Sequence, residues 1–150
     1  MPKLVTLIAC EKVIIDQKGL PSLISVFQKM EFMVPHLPVP ADAVAANQWV
    51  VAAFWQHTDS EIGVPFKQHL IITTPDGKIF AALEQGFIIP AGVEDRLSKN
   101  FLNLQGFPVG AEGPMSVTVW LDGDEANKYT YMLYVKYLEK PSEDAAPKPN

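Results

Sequence analysis

The chain has little of what most binding and catalytic chemistries need. Only one cysteine, Cys10, occurs in 150 residues, so no intrachain disulfide and no cysteine-built zinc site can form. A single cysteine fits a reducing, cytosolic setting. Only one arginine, Arg96, accompanies eleven scattered lysines, no two of them adjacent, and the formal net charge is −5. Nucleic-acid binding needs a basic face with bidentate phosphate clamps, and anionic membrane surfaces ask for clustered positive charge. Both partners are excluded from the expected set. No apolar run approaches the ~20 residues that span a bilayer. Catalytic signatures are missing as well. There is no Gly-x-Ser-x-Gly elbow, no Gly-Lys-Ser/Thr phosphate loop and no Gly-x-Gly-x-x-Gly fingerprint. No cofactor is implied.

Hydrophobic residues, by contrast, make up 48% of the chain and charged ones 19%, which excludes a disordered polymer. The 13 prolines favour turns and short elements over long helices. Gly and Pro punctuate runs of about 8–13 residues rich in Val, Ile, Phe, Tyr and Thr, the signature of strands. The predicted strands are Leu4–Asp16, Ser22–Val34, Gln48–His57, Phe66–Thr74, Lys78–Ile89, Asn100–Phe107, Met115–Asp122 and Lys128–Leu138. The first two exceed the usual length and are expected to be broken by bulges. Hairpins are expected around Gly19, at Thr74-Pro75-Asp76-Gly77-Lys78 and over Asp122–Asn127. Leu7-Ile8-Ala9-Cys10 has the outline of a lipoprotein cleavage box. Too few apolar residues precede it, and the pattern continues through Val13, so a first strand is expected.

The fold class expected is all-β: a single immunoglobulin-like antiparallel sandwich of seven or eight strands over residues 1–138. Residues 139–150 contain three prolines and no apolar period, and read as a disordered tail. Val93, Leu97 and Phe101 are four apart, with Asp95 and Lys99 an i,i+4 pair, so one short helix is expected near residues 93–99. In the last hairpin, pairing Asp122 with Lys128 sets Val119 against Tyr131 and Val117 against Leu133. The large apolar residues then share one face. The other face carries Ser116, Thr118, Trp120, Thr130, Met132, Tyr134 and Lys136.

Few residues bear chemistry. His36, His57 and His69 are isolated from one another. His57, Asp59 and Glu61 alternate at a strand end and are the set a small metal-dependent enzyme would use, although a solvated turn explains them too. Asp122-Gly123-Asp124-Glu125 lacks the later oxygen ligands and the glycine of a calcium loop, and reads as a turn. Cys10 sits inside an apolar run, where a thiol behaves as a small hydrophobe.

The aromatics say more. Residues 49–55 are apolar on both faces, with Trp49, Val51, Ala53 and Trp55 on one and Val50, Ala52 and Phe54 on the other. A strand with one solvated face should alternate. Either the Pro-rich segment 35–46 covers the second face, or a partner does. Trp120, Met132 and Tyr134 on an otherwise polar face form a candidate contact patch. The candidate binding residues are therefore Trp120, Met132, Tyr134, Trp49 and Trp55. The expected function is a cytosolic, non-enzymatic binding or assembly module, with a protein partner or self-association. A carbohydrate-binding module that stacks sugar on Trp120 and Tyr134 is the first alternative.

Leu7-Ile8-Ala9-Cys10-Glu11-Lys12-Val13-Ile14, followed by Gly19-Leu20-Pro21-Ser22-Leu23-Ile24-Ser25-Val26-Phe27, resembles the opening of a family of small uncharacterised bacterial proteins. Gly63, the Pro75-Asp76-Gly77 turn and the closing Leu121-Asp122-Gly123 and Leu133-Tyr134-Val135 look similar too. The likeness covers most of residues 4–138. It implies a β-sandwich and no activity. The chain departs from the pattern at Pro114-Met115, where such sequences often carry an aromatic.

Overall fold

A computed structural model describes residues 1–34, 37–92 and 94–139. The described residues form nine strands: β1 Lys3–Ile15, β2 Pro21–Val26, β3 Lys29–Val34, β4 Val44–Gln56, β5 Pro65–Thr73, β6 Ile79–Ile88, β7 Leu97–Pro108, β8 Gly113–Leu121 and β9 Tyr129–Glu139. They build two sheets, of order β2-β1-β4-β7 and β3-β9-β8-β5-β6. β4 beside β7, facing β9-β8-β5-β6, is the placement of strands B and E against G, F, C and C′ in an immunoglobulin sandwich. The all-β, immunoglobulin-like reading holds, with nine strands in place of seven or eight. The extra strand comes from the long second run, which breaks at Phe27–Gln28 into β2 and β3 in different sheets. β3 runs parallel to β9, and every other pairing is antiparallel.

Turn chemistry sets the hairpins. Asp16 Oδ1 accepts from the Lys18 and Leu20 backbone N–H groups at 2.8 and 2.9 Å, which closes the β1–β2 turn. At the β5–β6 turn the Thr74 N–H donates to the Lys78 carbonyl at 2.8 Å. Gly77 takes φ +84° there, a conformation that costs other residues.

The core lies between the sheets. Trp49, Val51, Ala53 and Trp55 of β4 and Ala9 of β1 meet Leu70, Ile72, Met115, Val117, Val119, Leu121, Leu133 and Val135. The last hairpin pairs Met115 with Leu133, Val117 with Tyr131 and Val119 with Tyr129. The expected register is thus off by two residues, because the connection runs through two successive turns closed by Asp124 N–H to Leu121 O and Asn127 N–H to Asp124 O. A slip of two preserves the side-chain alternation, so the core face is the expected one.

Among the described residues 94–99, no α-helix forms. Leu97 already begins β7 and pairs with Gln56. Asp95 and Lys99 do make their ion pair at 2.9 Å. Such a pair stabilises a helix by only about 0.2–0.5 kcal/mol, which is small beside the ladder that β7 forms along β4. His36, Val93 and the tail beyond Glu139 lie outside the described residues.

Candidate functional site

Trp49 and Trp55 are not surface residues. Each is 1% exposed. The Trp49 Nε1–H donates to the Gly106 carbonyl at 2.8 Å, and the Trp55 Nε1–H to Gln68 Oε1 at 2.6 Å. Both indoles point between the sheets because the odd positions of β4 face β5 and β8, so the expectation that they bind a partner is corrected.

Trp120, Met132 and Tyr134 do share the outer face of the five-stranded sheet, but the structure does not bring them together. Met132 sits opposite Ser116 and Tyr134 opposite Pro114. At about 3.3 Å per residue they lie about 13 and 20 Å along β8 from Trp120. Trp120 has its own neighbours. The His69 ring stacks on it at 5.1 Å and 11°. Lys128 Nζ approaches from the β9 side, 4.4 Å from the ring centroid. His69 in turn reaches Asp122 at 3.1 Å and Glu84 at 3.5 Å. A sugar stacking on this indole has to displace either His69 or Lys128. Trp120→Ala is expected to cost about 1–2 kcal/mol, the stack and the cation–π contact together. Urea denaturation checks this against Leu133→Ala, a core truncation worth about 2–5 kcal/mol. Equal costs would mean that Trp120 is core.

His57, Asp59 and Glu61 diverge. His57 is 3% exposed, and its Nε2 has no partner among the described residues. Asp59 turns to Arg96, 3.3 Å away. Glu61 Oε1 accepts from the Thr58 backbone N–H and from the Thr58 hydroxyl, each at 2.9 Å, while Oε2 lies 3.2 Å from the Met1 ammonium. Burial works to raise the Glu61 carboxyl, but these donors and the ammonium outweigh it and hold it below its usual range. Glu61 closes the capping box of the turn Asp59–Glu61 with Thr58, Asp59 and Glu61 make its ion pairs, and His57 takes part in neither. Among the described residues, no three His, Cys, Asp or Glu side chains gather as metal ligands.

The second apolar face of β4 is the surface that remains. The register sets Cys10 between Val26 and Val50, and Ala52 between Ile8 and Phe101. Phe54 and Phe101 meet edge to face at 5.9 Å. The small residues are covered by these larger neighbours: Cys10 and Ala52 are fully buried and Val50 is 5% exposed. Burial pushes the Cys10 thiol up. Val26, at 52% exposure, marks where the face opens to solvent. The described part of the Pro-rich segment does not cover this face. It lines a hollow at the sandwich end with Phe32, Val34 and Val109. The unbroken apolar run at Leu7–Cys10, read with residues 49–55, was the sequence signal for this face. Phe101 was missed, because nothing local pairs it with Ala52.

No family model matches the chain, and no curated protein matches it in sequence.

Proposed function

We propose that the protein is a non-enzymatic assembly module that pairs with a second copy of itself through the outer face of the β2-β1-β4-β7 sheet. One observation carries this reading: Ile8, Cys10, Val26, Val50, Ala52, Phe54 and Phe101 adjoin on that face, and no described strand packs over it. Three strands about 4.8 Å apart and about five residues long span about 240 Å², below the roughly 300–600 Å² of a typical monomer's largest apolar patch. It falls short of the about 800 Å² per partner of a standard interface, so the association is weak and reversible. A flat sheet face meets its own copy across a two-fold axis, the commonest oligomer symmetry, with the sheets about 10 Å apart. The single cysteine and low positive charge support a cytoplasmic setting without nucleic acid.

Sedimentation velocity over a concentration series tests the reading. The wild type is expected to show concentration-dependent dimerisation, and Phe101→Lys to weaken it tenfold or more with little loss of melting temperature. A wild type that stays monomeric at millimolar concentration refutes it.

A further inference from the structure

One flank of the sandwich is left open by the way β1 changes partner. β1 pairs with β4 only from Lys3 to Cys10, opposite Val50–Gln56. From Lys12 onward it pairs with β2. The first residues of β4, Val44–Trp49, therefore have β7 as a neighbour and nothing on their other side among the described residues. Across the flank, β3 is the outermost strand of its sheet and, among the described residues, pairs with β9 alone. Between these two edges runs a groove lined by Phe32, Val34, Pro38, Val39, Ala45 and Val109. No charged side chain lines it.

We infer that this flank binds an extended segment of a partner protein, apolar at alternate positions, which adds to β3 as a sixth strand of its sheet. Two independent features ask for that occupant. Among the described residues, the N–H and C=O groups on the outer edge of β3, about half of those it carries, have no ladder partner, and another strand is what satisfies them. The groove beside it is apolar, and an added strand turns every second side chain toward it. A compact apolar molecule would fill the groove and leave the edge groups unpaired. The chain's own residues 140–150 meet neither demand. They hold three prolines, which cannot donate to a ladder, four charged residues, and no apolar side chain larger than proline. The surface is separate from the Phe54–Phe101 face, so the two readings fail independently.

The probe is acetyl-Thr-Val-Thr-Val-Thr-Val-Thr-amide, titrated into the full-length protein labelled with nitrogen-15. Its control carries proline in place of each valine. Saturable shifts are expected at Lys29–Val34, Ala45 and Val109, with amide exchange at alternate residues of β3 slowed tenfold or more. Val39→Asp puts a charge in the groove from a loop position that no strand pairing needs, and is expected to weaken binding at least tenfold. Phe101→Lys should leave the affinity unchanged. The inference is overturned by the absence of saturable shifts at millimolar peptide, by shifts confined to the Phe54–Phe101 face, by equal binding of the proline control, or by undiminished binding to a folded Val39→Asp protein.

Discussion

Trp55→Ala is expected to lower the unfolding free energy by about 3–5 kcal/mol, the range for removing a large aromatic from a packed core. The side chain is 1% exposed. Its ring meets Tyr129 edge to face at 6.1 Å and 83°. Its Nε1–H is a donor to Gln68 Oε1 at 2.6 Å, and that oxygen also accepts from Asn100 Nδ2 at 3.2 Å. Gln68 is fully buried, so truncation opens a cavity and takes one of two donors from an amide that water does not reach. The loss should therefore lie at the upper end of the range. Trp55→Phe separates the two contributions. It keeps most of the ring and removes the N–H, and should cost about 1–3 kcal/mol. Urea denaturation with an unchanged m-value is the measurement. A Trp55→Ala midpoint close to that of the wild type would remove this indole from the core.

Gly106→Ala is the second large effect, at about 2–4 kcal/mol. Gly106 takes φ +84°, where an L-residue is strained by about 1–2 kcal/mol. A Cβ built there would stand 2.6 Å from Val44 Cγ1, and such overpacking costs about 1–3 kcal/mol. Any backbone shift also disturbs the Gly106 carbonyl that holds the Trp49 indole. Val44 is 53% exposed and can swing aside, so the conformational strain should dominate. The double variant Val44→Ala/Gly106→Ala isolates the clash. It should recover only the part due to Val44, while the strain persists. Full recovery would show that the backbone at residue 106 accepts alanine freely.

Most strands were legible because their evidence is local. Alternation at Met115–Leu121 and the turn residues at Pro75-Asp76-Gly77 identify strand and hairpin from within a dozen residues. The same locality explains the errors. Asp95 and Lys99 make a real i,i+4 pair, yet Leu97–Lys99 are held as strand by β4, some forty residues away. The two-residue offset in the last hairpin came from a connection that could close as one turn or as two. Either choice gives the same core face, so the core was right while the register was not. Apolar aromatics suit a contact surface, but Trp49 and Trp55 are also what a sandwich interior requires. Which face of β4 looks inward depends on where β5 and β8 lie.

By itself, the sequence determined an all-β chain, its turns, the inward set on the last hairpin, and a charge and cysteine content that argue against nucleic acid and disulfides. Those properties follow from side-chain period, local turn chemistry and composition, none of which needs a distant partner. Only the tertiary structure decided that β2 and β3 part into different sheets and that Trp120 lies between His69 and Lys128. It alone showed that His57, Asp59 and Glu61 diverge, and that one apolar sheet face and the edge of β3 beside an apolar groove have no neighbour among the described residues. These depend on strand pairings between residues far apart in the chain, and hydrogen bonding between backbones carries almost no sequence signature of which strand will supply the other half.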